Sequence, residues 1–182
     1  MISIRFKITE DIDMLESSTI KEIEDELYNV LGIFELRIHS NVIGIYLEDW
    51  PEELMGTELL CLWFNQLLDV LLRHEVYGQN KLIAYVHPNW IGFVFHDGKV
   101  NISKNKMNMS QGQLPLILEM EAKPCDIIWK ELDIPYIELK KTVLTSSKSF
   151  LQELEKINPI ILESKVAKPI LGKLECIEHF HK

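Results

Sequence analysis

The chain reads as an α+β domain in which an antiparallel sheet, built from a hairpin plus a meander, packs against two main helices. Three observations carry this reading. Ser3-Ile4-Arg5-Phe6-Lys7-Ile8-Thr9 alternates strictly between polar and apolar residues, the period of a half-buried strand. Asp97-Gly98 separates two β-rich runs, Trp90–His96 and Lys99–Ser103, and this dipeptide tolerates the positive φ angles of a two-residue hairpin turn. Thr57–Val76 and the stretch from Tyr136 to Ile157 instead repeat their apolar residues at helical spacing.

The elements follow in order. After the first strand, Ile20, Ile23, Leu27 and Val30/Leu31 fall at helical spacing, with Thr19 and Glu22 as a capping box and Gly32 as the expected stop. Ile33–His39 and Val42–Glu48 alternate around Ser40-Asn41. They predict a hairpin with Phe34, Leu36, Ile38, Ile43, Ile45 and Leu47 facing inward. Glu48–Glu53 (EDWPEE) is an acidic, exposed loop. Thr57–Val76 is apolar over more than one stripe, so this helix should be covered on several sides, with Trp63, Leu67 and Leu71 deep inside. Lys81–His87, Trp90–His96 and Lys99–Ser103 form the meander, turning at Pro88-Asn89 and Asp97-Gly98, with Ile91, Phe93 and Phe95 inward.

Lys104–Gln113 is polar and reads as a loop. Leu114–Glu121 reads as one more strand, confined to an edge by Pro115. Tyr136, Leu139, Val143, Phe150, Leu154 and Ile157 mark a long amphipathic helix that starts near Asp133 or Pro135 and ends at Asn158-Pro159. Residues 160–182 have weak periodicity and read as a loosely packed C-terminal segment of a single domain spanning 1–182.

Composition narrows the function classes. The N-terminus, MISIRFKITEDIDM, has no apolar h-region and no small-residue cleavage site, so no signal peptide is expected. Leu59–Leu72 holds eleven apolar residues in fourteen but is too short to span a bilayer. Cys61, Cys125 and Cys176 are an odd, widely spaced set, which predicts free thiols in a reducing cytoplasm. The net charge is −9, and it is unevenly distributed. Residues 1–58 hold fourteen acidic and four basic side chains, a balance of −10; residues 59–182 hold fourteen and fifteen, a balance of +1. Such a field disfavours nucleic acid and anionic membrane and attracts a basic protein or a cation.

The candidate site follows from that field. Glu48, Asp49, Glu52 and Glu53 flank Trp50, and Glu22, Glu24, Asp25 and Glu26 form the densest acidic run. Acids around an aromatic anchor suit docking on a basic surface: the charges accelerate encounter and the ring supplies desolvated contact. The bland reading of the same residues is a solvated face with Trp50 tucked into the core.

Other constellations are less specific. His87, His96 and Asp97 supply the residue types of a small hydrolase or metal-dependent enzyme, but no H-x-x-x-H or H-E-x-x-H spacing accompanies them. Cys176, His179 and His181 are zinc-competent but lack an evident fourth ligand. Ser146-Ser147-Lys148-Ser149 has no flanking glycine, and no phosphate-binding glycine motif occurs anywhere. Lys99, Lys104 and Lys106 form a small basic patch without interleaved aromatics. No metal, no cofactor and no catalytic residue is expected. A third possibility is an assembly subunit that buries its Leu59–Leu72 helix against a copy of itself; the oligomeric state is left open.

The order of LLCLWFNQLLDVLL, KLIAYVHPNWIGFVFHDGKVNIS and IELKKTVLTSSKSFLQELEKI, over roughly residues 57–157, resembles the small acidic immunity proteins encoded beside bacterial polymorphic toxins. The resemblance implies a cytosolic, non-enzymatic inhibitor that binds one cognate toxin, often a basic nuclease. It carries over no interface residues, because no binding motif is shared.

Overall fold

A computed structural model describes residues 1–27, 29–46, 48, 58–86, 89–107, 117–119 and 125–180. Strand β1 (Ile2–Ile8) leads into helix α1 (Ile12–Ser17) and a short α2 (Ile20–Glu22), which widens into a π-helical turn over Ile23–Leu27. Strands β2 (Leu31–Ile38), β3 (Asn41–Ile45) and β4 (Glu58–Leu59) precede helix α3 (Leu60–Tyr77). Strands β5 (Lys81–Val86), β6 (Asn89–His96), β7 (Lys99–Met107), β8 (Ile117–Glu119) and β9 (Cys125–Pro135) follow. Helix α4 (Tyr136–Ile157), a 3-10 turn over Pro159–Glu163 and helix α5 (Lys168–His179) complete the chain.

The α+β class holds, but the hairpin and the meander lie in two separate antiparallel sheets and not in one. In the first, β2 lies between β1 on one side and β3 and β4 on the other. In the second, the order is β8-β5-β6-β7-β9. The three strands of the meander form, but Asn89, predicted in its first turn, already lies in β6 paired with Val86, and His87 and Pro88 lie outside the described residues. His96 pairs with Lys99 across Asp97 and Gly98, whose φ angles of 46° and 73° are those of a primed two-residue turn. Ile91, Phe93 and Phe95 all face the core.

Helix α3 is the centre of the molecule. Leu60, Cys61, Trp63, Phe64, Leu67, Leu68, Val70 and Leu71 are all buried, which takes in more than one stripe of the helix. The Trp63 ring stacks on Phe34 of β2 at 4.1 Å, and Phe64 stacks on Phe150 of α4 at 4.6 Å. Phe6 of β1 meets Phe64 and Phe150 edge-on at 5.2 and 5.7 Å. The indole N–H of Trp63 donates to Glu58 Oε2 at 2.7 Å, so the buried ring keeps its polar handle satisfied. The helix stops at Gly78, where the N–H groups of Gly78 and Gln79 return to the carbonyls of His74 and Arg73.

Ion pairs tie α3 to its neighbours. Glu75 Oε1 accepts from the Tyr136 hydroxyl and from Lys140 Nζ of α4, each at 2.6 Å. Asp69 receives Arg73 of its own helix at 2.8 Å and Lys173 of α5 at 3.2 Å. Burial and the adjoining Glu75 carboxylate push the Tyr136 phenol well above its ordinary value, which keeps its proton in place.

Several expectations are corrected. Gly32 does not end a helix; it lies in β2, where a Cβ would meet Lys7 O and Leu60 Cδ1 at 2.4 Å. Its role is therefore close approach of strand and helix. Ile45 is exposed, because β3 is an edge strand and Ile45 is its last residue; Leu47 lies outside the described residues. Helix α3 begins at Leu60 rather than Thr57, since Glu58 and Leu59 pair with β2. Lys104–Met107 are not loop but the end of β7, paired with β9, while 108–113 lie outside the described residues. Strand β9 itself is not legible in the sequence. The C-terminal segment is not loose: Ile161, Ala167, Ile170, Leu174 and Ile177 are buried in the same core cluster as α3 and α4. Within Leu114–Glu121 the described strand is Ile117–Glu119, and it lies on the sheet edge that Pro115 predicts.

Leu67 is fully enclosed on α3. Leu67→Ala is expected to cost about 2–5 kcal/mol of unfolding free energy, the usual range for truncating an enclosed leucine. Urea denaturation followed by circular dichroism checks this, and a loss below ~1 kcal/mol would mean that the site collapses freely around the cavity.

Candidate functional site

The most distinctive surface is an acidic lobe built by the end of β1, α1, α2 and the π-turn. Residues 10–26 contain eight acidic side chains and one basic one, Lys21. Asp11, Asp13, Glu16, Glu22 and Asp25 are exposed. Between them Ile12, Met14 and Ile20 are 38%, 38% and 37% exposed, so apolar side chains stand among the carboxylates in solvent.

The lobe is fixed from beneath. Leu15 and Ile23 are buried and anchor the two short helices. Asp11 caps α1 by accepting the Met14 N–H at 3.1 Å. Asn158, buried at the end of α4, donates through Nδ2 to the carbonyls of Leu15 and Ser18, each at 3.0 Å. It thereby satisfies carbonyls left open where α1 ends.

The predicted acids divide by role. Glu22 is committed to structure. Its Oε2 accepts from the Thr19 N–H and hydroxyl, both at 2.8 Å, while the Glu22 N–H donates to Thr19 Oγ1, closing the predicted capping box. Glu24 is engaged by Lys165: Oε2 faces Lys165 Nζ at 2.8 Å and Oε1 accepts the Lys165 N–H at 3.1 Å. Asp25 and Glu48 are exposed. The Glu26 side chain and Asp49, Trp50, Glu52 and Glu53 lie outside the described residues. Sequence reasoning missed Asp13, Glu16 and the apolar trio. The available signal was Asp11 as an N-cap ahead of I-D-M-L-E, in which only Leu15 turns inward.

Of the histidine constellation, His96 and Asp97 fall among the described residues. Asp97 sits exposed in the tight turn, and the carboxylate near His96 is instead Asp133, 3.9 Å from Nε2. Asp133 also takes Lys99 Nζ at 3.4 Å. His87 lies outside the described residues. His74 stacks on Phe95 at 4.0 Å and lies edge-on to Tyr136, an aromatic packing role. Among the described residues, no three His, Cys, Asp or Glu side chains gather as a metal-holding group. Burial pushes the Cys61 thiol up to about 12, so it stays protonated and poorly nucleophilic at neutral pH. Cys176 and His179 are exposed on α5, and His181 lies outside the described residues. Ser146–Ser149 lie within α4. No described helix is long and apolar enough to cross a membrane. Leu59–Leu72, considered above as a self-association surface, is mostly enclosed within one chain, with only Leu59 among its large apolar residues exposed.

Compared with known proteins, the chain matches no family model, no curated protein and no solved structure.

The lobe's pH response follows from its contacts. The backbone and hydroxyl of Thr19 hold the Glu22 carboxyl below its ordinary 4.5, and the Lys165 ammonium does the same for Glu24. Folded-state values below the unfolded ones stabilise the fold fully above the unfolded pKa, and that contribution is lost as pH falls through the lowered folded value. Glu22→Gln is expected to flatten the fall of thermal midpoint with pH below 4.5 while leaving the midpoint at pH 7 only slightly lower. An unaltered acid limb in scanning calorimetry would show that the capping carboxylate is not coupled to folding.

Proposed function

We propose that this protein is a non-catalytic, acidic binding protein of the immunity type, which neutralises a basic toxin in the cytoplasm by occluding its active site. The observation that carries this reading is the fixed lobe over residues 10–26, with eight acids against one base and Ile12, Met14 and Ile20 exposed among them. A basic nuclease binds phosphates through lysines and arginines. Carboxylates carried on a backbone already held by caps and Asn158 meet such a surface at a smaller ordering cost than those of a free loop. Rim charges set the association rate, whereas desolvated apolar contacts set the dissociation rate. In this reading Asp13, Glu16 and Asp25 steer, and Met14 and Ile20 hold. Exposed Glu48 adds to the same negative field.

The test uses a basic toxin domain sought in the reading frames beside the gene. Co-expression with the wild-type chain is expected to restore growth. Asp13→Lys/Glu16→Lys/Asp25→Lys spares both capping acids and the Glu24–Lys165 pair, so the fold is kept. This variant is expected to associate about tenfold more slowly or worse, with a flattened salt dependence. Met14→Ser/Ile20→Ser is expected to dissociate faster at nearly unchanged association rate. Growth rescue and kinetics identical to wild type in both variants would overturn the reading.

A further inference from the structure

Strand β9 forms one edge of the second sheet, and among the described residues no strand pairs with its outer side. It is eleven residues long, and apart from Glu131, which is bonded to His39 and Asn41 of the first sheet's hairpin, its outer side offers a strand edge as a template for another strand. Ile127 and Ile128 on it are 51% and 58% exposed. Asp126 and Lys130 flank them, both exposed, and neither has an ion-pair partner among the described residues. The register with β7 passes from Asn105↔Ile127 to Lys104↔Trp129, so Ile128 is the extra residue of a β-bulge with no residue opposite it.

We infer that the outer edge of β9 is a self-association surface whose occupant is β9 of a second copy of this chain, paired antiparallel about a two-fold axis through Ile128. Charge complementarity selects that occupant and that register. With Ile128 opposite its own copy, Asp126 of each chain faces Lys130 of the other, and Ile127 faces Trp129. Both unpaired charges gain partners at once, and the contact is isologous, as a closed dimer requires. A slip of one residue one way sets Asp126 against Glu131, two like charges. A slip the other way sets Asp126 against Trp129 and Lys130 against Cys125, leaving both charges unmatched. Pairing would join two five-stranded sheets edge to edge. Because one strand pair buries far less than the ~1,200 Å² of a standard interface, the dimer should form reversibly with concentration. The acidic lobe contributes no residue to this contact, so the inference stands apart from the proposed function.

Sedimentation velocity of the full chain over a wide concentration range tests it. The wild type is expected to shift from monomer to dimer as concentration rises. Asp126→Lys turns two opposite-charge pairs into like-charge pairs and is expected to weaken dimerisation at least about tenfold. Asp126→Lys/Lys130→Asp restores complementarity across the axis and is expected to recover it. Ile128→Lys brings two ammonium groups together on the axis and should leave a monomer. Circular dichroism of each variant confirms that these exposed substitutions leave the fold intact, and the charge swap is its own control. A wild type that stays monomeric throughout, or a dimer indifferent to Asp126→Lys and Ile128→Lys, would overturn the inference.

Discussion

The enclosure of α3 is the constraint on which the rest of the structure depends. A helix apolar on more than one side has no stable place at a surface and must be covered from several directions. Here β1 and β2 cover it through Phe6 and Phe34, and α4 does so through Phe150. On its other sides lie the second sheet and α5, whose buried side chains belong to the same cluster. Close approach at one end is bought with Gly32, which has no Cβ to collide with Leu60. The polar contacts are arranged around that packing. Glu75 binds Lys140 and Tyr136 of α4, and Asp69 binds Lys173 of α5, so these two acids of α3 are tied to neighbouring helices. Removing one partner from such a pair costs more than the pair contributes, which makes these contacts guardians of helix placement rather than sources of stability.

Because α3, α4 and the sheets supply the core, the segment between β1 and β2 is released from that duty. It buries only Leu15 and Ile23 among the large side chains of α1, α2 and the described π-turn. The remaining positions carry the charge. The lobe still holds its shape, since Asn158 reaches across from α4 and Lys165 reaches Glu24 from the far end of the chain. Regional charge and regional burial are thus complementary.

Most of the fold was legible where one face of an element is buried. β1, the hairpin of β2 and β3, the meander and α4 all announce themselves by period, and Asp97-Gly98 and Thr19/Glu22 by local chemistry. β9 did not, because Asp126, Ile127, Ile128, Lys130, Leu132 and Asp133 are exposed and two bulges break any alternation. Helix α5 was faint although Ile170, Leu174 and Ile177 keep helical spacing and Pro169 marks its start; the single buried stripe is short. Both faces of β2 are covered, against the alternation: Ile33 is buried, and Glu35 is clamped by Arg5 and Arg37 from the same sheet. Of the candidate site, Glu22 and Asp25 were readable from charge. The pairing of Glu24 with Lys165 and the anchoring by Asn158 join residues about 140 positions apart, and no local pattern encodes such contacts.

Native-state hydrogen exchange across the whole chain tests most directly whether a single core centred on α3 governs the molecule. If it does, the slowest amides of α3, β2 and β6 exchange with one common free energy, equal to that of global unfolding, because neither sheet can leave without exposing the helix. Exchange of β6 at a distinctly lower free energy than α3 and β2 would contradict this, showing that the second sheet opens as an independent unit.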